Sequence, residues 1–113
     1  MNLMNLKEYQ AFTRTTAIYP EAKIGSISEL TYLSLGLSGE SGEVANQVKK
    51  LYRDGDDPAR RAKIGAELGD VFWYLVRLCD ALGLDPEQVI AENVEKLSGR
   101  KSRGTLGGDG DVR

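Results

Sequence analysis

The chain has 113 residues, 41% of them hydrophobic and 28% charged, which fits a single globular domain. A net charge of −2 argues against a general nucleic-acid surface, and the longest apolar run, Val71 to Val76, is far too short to span a bilayer. The chain has no histidine and one cysteine, Cys79, so it excludes His/Cys zinc sites, histidine-based triads, haem ligation by histidine, disulfide scaffolds and the Glu-x-x-His di-iron motif.

The start MNLMNLKEYQ lacks the basic and apolar regions of a signal peptide, which gives the expectation of a soluble cytoplasmic protein without membrane attachment. Asn5 with Glu8 reads as a capping box opening a first helix that ends near Tyr19-Pro20, because proline cannot continue it. Ser26 with Glu29 repeats the signal for a second helix, running to about Asp54 with Gly55 as a left-handed cap. Asp57-Pro58 opens a third helix closed by Gly83. Asp85-Pro86 opens a fourth, with Gln88 at the capping-box position and an end near Gly99. No stretch alternates as a strand does, so the fold class is all-α, a four-helix bundle-like arrangement. Residues 1–99 form the single domain, and 100–113 form a glycine-rich tail whose composition suits disorder. A chain this short buries only about 60–70% of its unfolded surface, so oligomerisation would complete the core.

Helix three carries Ile64, Leu68, Val71, Leu75, Leu78 and Leu82 at 4-3-4-3-4 spacing, a continuous apolar stripe. Helix two carries Leu30, Leu33, Leu37, Val44, Val48 and Leu51, interrupted at Glu40. A carboxylate there occupies a core position and needs a proton, a partner or a metal.

Glu40 and Glu43 share one face of helix two, as Glu67 and Asp70 do on helix three, and a short loop lets the two pairs converge. Acidic pairs at this spacing are common on solvated faces. Here Glu40, Glu43 and Glu67 lack a basic i+4 partner, Asp70 has only Tyr74 there, and one pair intrudes into an apolar seam. A hard divalent cation relieves the repulsion, with Mg²⁺ the natural candidate and Mn²⁺ a substitute. Gly36, Gly39 and Gly42 on helix two and Gly65 and Gly69 on helix three together cost roughly 4–5 kcal/mol of helix propensity. Such a cost suggests close approach, either between the helices or by a ligand.

Two columns suit phosphate: Asp70, Tyr74 and Arg77 on helix three, and Asn93, Lys96 and Arg100 on helix four. Lys49, Lys50 and Arg53 on helix two are a third source of cations. Each cation also reads as part of a solvated face. Trp73 and Tyr74 can stack on a base or fill the core, and Cys79 is most simply a small buried hydrophobe.

The segments TYLSLGLSGESGEVANQVKK and ELGDVFWYLVRLCDALGL, with NVEKL downstream, are similar to the MazG-type all-α nucleoside triphosphate pyrophosphohydrolases, relatives of dimeric dUTPases, dCTP pyrophosphatases and phosphoribosyl-ATP pyrophosphohydrolase. The resemblance covers nearly the whole chain and maps the family's metal ligands onto Glu40, Glu43, Glu67 and Asp70. It departs at the first glutamate of the signature, which falls on Gly39. The tail RGTLGGDGDVR resembles an ending of the compact MazG-like branch, which sets order level with disorder; an ordered tail would let Arg103 and Arg113 close over a nucleotide.

The resemblance implies hydrolysis between the α and β phosphates of a nucleoside triphosphate, giving monophosphate and pyrophosphate, with housecleaning of the dNTP pool as the role. The four acids would hold Mg²⁺ and activate water. Lys50, Trp73, Tyr74, Asn93, Lys96 and Arg100 would bind substrate, in a homodimer or homotetramer with sites near subunit interfaces. Without histidine the base is a carboxylate or the metal's own water, and Glu40 suits the role because its seam position raises its pKa. Phosphoribosyl-ATP hydrolysis is an alternative. Another is a helical oligomer that binds nucleotide or metal without turnover, which Gly39 leaves open.

Overall fold

Four helices and no strand make up residues 4–113, the residues described by the computed structural model: α1 (Leu6–Thr16), α2 (Ile27–Asp54), α3 (Pro58–Ala81) and α4 (Pro86–Arg103). Of the start expected to carry no signal peptide, residues 1–3 lie outside the described residues. No helix among the described residues is long and apolar enough to cross a membrane.

The caps follow the sequence closely. Asn5 and Glu8 form the reciprocal box, with the Glu8 amide donating to Asn5 Oδ1 at 2.8 Å and the Asn5 amide to Glu8 Oε1 at 3.2 Å. Asp57 accepts the Arg60 amide at 2.8 Å, and Asp85 accepts the Glu87 amide at 2.9 Å. After α3, Gly83 (φ 72) takes the left-handed position. Leu84 N–H then reaches Cys79 O at 2.8 Å and Gly83 N–H reaches Asp80 O at 3.1 Å, a Schellman ending.

Four local expectations are corrected. The first helix stops at Thr16, so Ala17 and Tyr19 leave it and plug the core as buried loop residues. Gly55 has a positive φ of 115 but with ψ 145, outside the left-handed helical well. Gln88 bonds Glu92 at 3.3 Å instead of turning back to the cap. The fourth helix passes through Gly99 to Arg103, because the left-handed turn falls at Gly104 (φ 72), where Thr105 N–H reaches Arg100 O at 2.8 Å. Arg100, Lys101 and Arg103 in that last turn complement its dipole.

Glu29 does not complete a capping box either. Its fully buried carboxylate accepts the amides of Lys23 and Gly25 at 2.7 Å each and the Tyr19 hydroxyl at 2.5 Å. This ties down a loop that turns through left-handed Glu21 (φ 61) and Lys23 (φ 65). Arg77, also fully buried, donates to Asp80 at 2.7 Å, and Asp80 receives Arg14 at 2.6 Å and Gln10 at 3.1 Å. The network clamps α1 and its loop onto α3.

The α2–α3 pair is the body of the fold. α1 lies on α3, and α4 touches α1 and α3 without reaching α2. The core is small: Ala17, Tyr19, Leu33 and Val76 are buried, backed by half-buried Trp73, Tyr74, Leu78 and Ala81. The expected stripes are not sealed within one chain, since Val48, Leu68, Leu75 and Leu82 are each exposed. Accessible surface is 7939 Å², against about 6,100 Å² for a compact monomer of this mass. The radius of gyration is 16.8 Å, against about 13 Å.

Candidate active site

Packing of α2 against α3 brings Glu40, Glu67 and Asp70 together, with one carboxylate oxygen from each lying within 4.8 Å of the others. Glu40 and Glu67 are half-buried and Asp70 is exposed. Glu43, one turn beyond Glu40, is exposed and stands outside this group. Among the described residues none of the four acids is ion-paired with a lysine or arginine. Glu40 Oε2 is shielded from solvent without any hydrogen-bond partner. Burial first, then adjoining Glu67 and the charges of Asp70 and Glu43, push the Glu40 carboxyl above its ordinary value of 4.5. Converging oxygens with no countercharge, one of them orphaned, are the donor set of a hard divalent cation.

The glycines divide into two kinds. A Cβ on Gly36 would lie 2.1 Å from the Tyr74 ring, so this glycine is what lets Tyr74 lie across α2 beside the acids. Cβ atoms at Gly39, Gly42, Gly65 and Gly69 would meet nothing within 4 Å, so close approach between the two helices is confined to Gly36.

A cleft of about 330 Å³ next to the carboxylates is lined by Thr16, Glu40, Asp70, Trp73 and Tyr74. Trp73 belongs to both readings given it: it packs on the core cluster and also faces this cleft. Burial raises the Tyr74 hydroxyl pKa, with Tyr32 and the nearby acids adding to it.

The cations lie elsewhere in the chain. Lys50 is ten residues, about 15 Å along the helix, beyond Glu40 and lines a cleft with Asp57, Arg60 and Lys63 at the α2–α3 turn. Asn93 is exposed on α4. Lys96 pairs with Asp111 at 2.7 Å, and buried Arg100 donates to the carbonyls of Gly110 and Asp111. The tail is therefore folded back on α4 around a cavity of about 610 Å³ that Arg103 and Arg113 also line. Lys96 and Arg100 line this cavity and not the cleft beside Glu40 and Asp70. Arg77, expected as part of a phosphate column, is instead consumed by Asp80 and lies 3.7 Å from Glu29. Cys79 is half-buried, and burial pushes its thiol pKa up.

Sequence reasoning missed Thr16, which accepts the Trp73 indole N–H at 2.7 Å. No motif marks a lone threonine at a helix end. It also missed the Glu29–Arg77 network, whose acid was absorbed into a cap signal.

The family described as the MazG nucleotide pyrophosphohydrolase domain matches residues 28–104, which include Glu40, Glu43, Glu67 and Asp70. The "Gene 37 protein" of Mycobacterium phage L5 is 44% identical over 114 residues, covering 97% of this chain and the whole of that protein. No solved structure matches the chain. With an all-α fold, three acids converging from two helices and a family match across most of its length, the chain belongs to the MazG nucleotide pyrophosphohydrolase family.

Proposed function

We propose that this protein is a Mg²⁺-dependent nucleoside triphosphate pyrophosphohydrolase that converts (d)NTP to (d)NMP and pyrophosphate in the cytoplasm, with clearance of unwanted dNTPs as its role. The observation that carries the reading is the convergence of Glu40, Glu67 and Asp70 with no ion-paired lysine or arginine among the described residues. These acids, with Glu43 at the rim, would hold Mg²⁺, or Mn²⁺ in its place. Such a cation supplies neutralisation of phosphate charge and acidification of water. Glu40 takes the proton as water oxygen bonds to the α-phosphorus and the bond from that phosphorus to the α,β-bridging oxygen breaks. Its pKa, raised above 4.5 by burial and by its acidic neighbours, makes it a stronger proton acceptor than an ordinary carboxylate. Trp73 and Tyr74 border the nucleoside, and Lys96 and Arg100, with Asn93, take the pyrophosphate oxygens.

In this reading a second copy supplies these cations, since within one chain Lys96 and Arg100 line a different cavity from the one beside the acids. Two further observations support a homodimer or homotetramer. The surface in excess of a compact monomer is roughly 1,800 Å², more than twice the share a chain buries in an ordinary interface. α4 also leaves Ile90, Val94 and Leu97 exposed. Lys50 lies far enough along α2 to serve a neighbouring copy as well.

A panel of NTPs and dNTPs with Mg²⁺, read for monophosphate and pyrophosphate, tests the reading. Asp70→Asn and Glu43→Gln are expected to lower kcat at least 100-fold. Orthophosphate alone, unchanged activity in both variants, or tight binding without product over hours would overturn it.

A further inference from the structure

We propose that Thr16 is a positioning residue for the nucleoside end of the substrate, acting through Trp73; this rests on the pyrophosphohydrolase reading of the same cleft. Thr16 closes α1, and its hydroxyl proton is committed. It accepts the Trp73 Nε1–H at 2.7 Å and donates to Thr13 O at 3.2 Å. The indole is also braced by two rings. Tyr74 meets it edge-on at 5.0 Å and 85°, and Tyr19 does so at 6.1 Å and 85°. Tyr19 is itself pinned by buried Glu29. The indole therefore cannot turn about its long axis without breaking a hydrogen bond and two aromatic contacts.

This fixed ring walls the cleft that contains Glu40 and Asp70. With the N–H of Trp73 and the hydroxyl proton of Thr16 both spent, the pair offers a ligand no hydrogen-bond donor. It offers a flat apolar face one turn from Asp70. That chemistry recognises a planar aromatic group, the base of the nucleotide, and is indifferent to phosphate. Holding the face in place before binding lowers the ordering cost of stacking and so acts on affinity.

The test compares wild type, Thr16→Val, Thr16→Ser, Trp73→Phe and the Thr16→Val/Trp73→Phe double variant in Mg²⁺. Steady-state kinetics with a dNTP are run alongside inhibition by inorganic tripolyphosphate, which has no base. Trp73 is the only tryptophan, so its fluorescence reports the cleft directly. The expected results are a rise in KM of about three- to tenfold for Thr16→Val with kcat and tripolyphosphate inhibition unchanged, and recovery in Thr16→Ser. Thr16→Val should add nothing in the Trp73→Phe background, and the dNTP but not tripolyphosphate should change Trp73 emission. An unchanged KM in Thr16→Val, an equal loss of tripolyphosphate inhibition, or emission indifferent to the dNTP would overturn the proposal. If wild type hydrolyses no nucleotide, the pyrophosphohydrolase reading fails, and fluorescence titration of wild type and Thr16→Val with the dNTP still decides the role of Thr16.

Discussion

Glu40 and Asp80 are carboxylates on the same two-helix body whose environments push in opposite directions, and the sign of each can be measured. Glu40 is raised above 4.5 by burial and by its acidic neighbours, so the folded state holds its proton more tightly than the unfolded chain does. Its contribution to stability in metal-free protein is full below pH 4.5 and is lost as pH rises through its folded pKa. Asp80 is held below 3.8, first by the hydrogen bond from Arg14 and then by Arg77. Its contribution is full above pH 3.8 and is lost as pH falls through its lower folded value. Urea unfolding from pH 3 to 8 is expected to show a shallower neutral-side decline in Glu40→Gln and a shallower acid-side decline in Asp80→Asn. At neutral pH, Mg²⁺ or Mn²⁺ should raise the Tm of wild type more than that of Glu40→Gln, because the cation relieves repulsion that the variant has already reduced.

At the scale of helices, Gly36 and Gly39 separate two roles that look identical in sequence. Gly36→Ala drives a Cβ into the Tyr74 ring and is expected to destabilise the fold by about 1–3 kcal/mol. Gly39→Ala meets open space and should stabilise the isolated chain by up to about 1 kcal/mol through helix propensity. Chemical denaturation of the two variants checks both signs. The same contrast shows what could be read from residues alone. Caps at Asn5, Asp57 and Asp85 and the glycine ending at Gly83 were legible because each is a local hydrogen-bonding device. The convergence of Glu40, Glu67 and Asp70 was legible because helical spacing and a short loop fix which faces meet. The end of α1 at Thr16 was not, since the burial of Ala17 and Tyr19 in the core decides it. Nor was the run of α4 through Gly99, where only the later turn at Gly104 shows which glycine is left-handed.

Across the whole molecule, apolar periodicity located the α2–α3 seam but could not tell core from interface, because both use the same residues. Val94, 57% exposed on α4, is the clearest case. If the proposed assembly buries α4, Val94→Glu is expected to shift the protein toward smaller species in light scattering and to lower kcat/KM at least tenfold, because charge on a buried interface is costly. An unchanged mass with full activity would contradict the proposed assembly through α4. The central claim, that this acid cluster hydrolyses a nucleoside triphosphate between its α and β phosphates, is tested most directly by running the reaction with Mg²⁺ in ¹⁸O-water and weighing the products. The expected products are nucleoside monophosphate carrying one ¹⁸O and pyrophosphate carrying none. Label in pyrophosphate, or release of labelled orthophosphate, would contradict it.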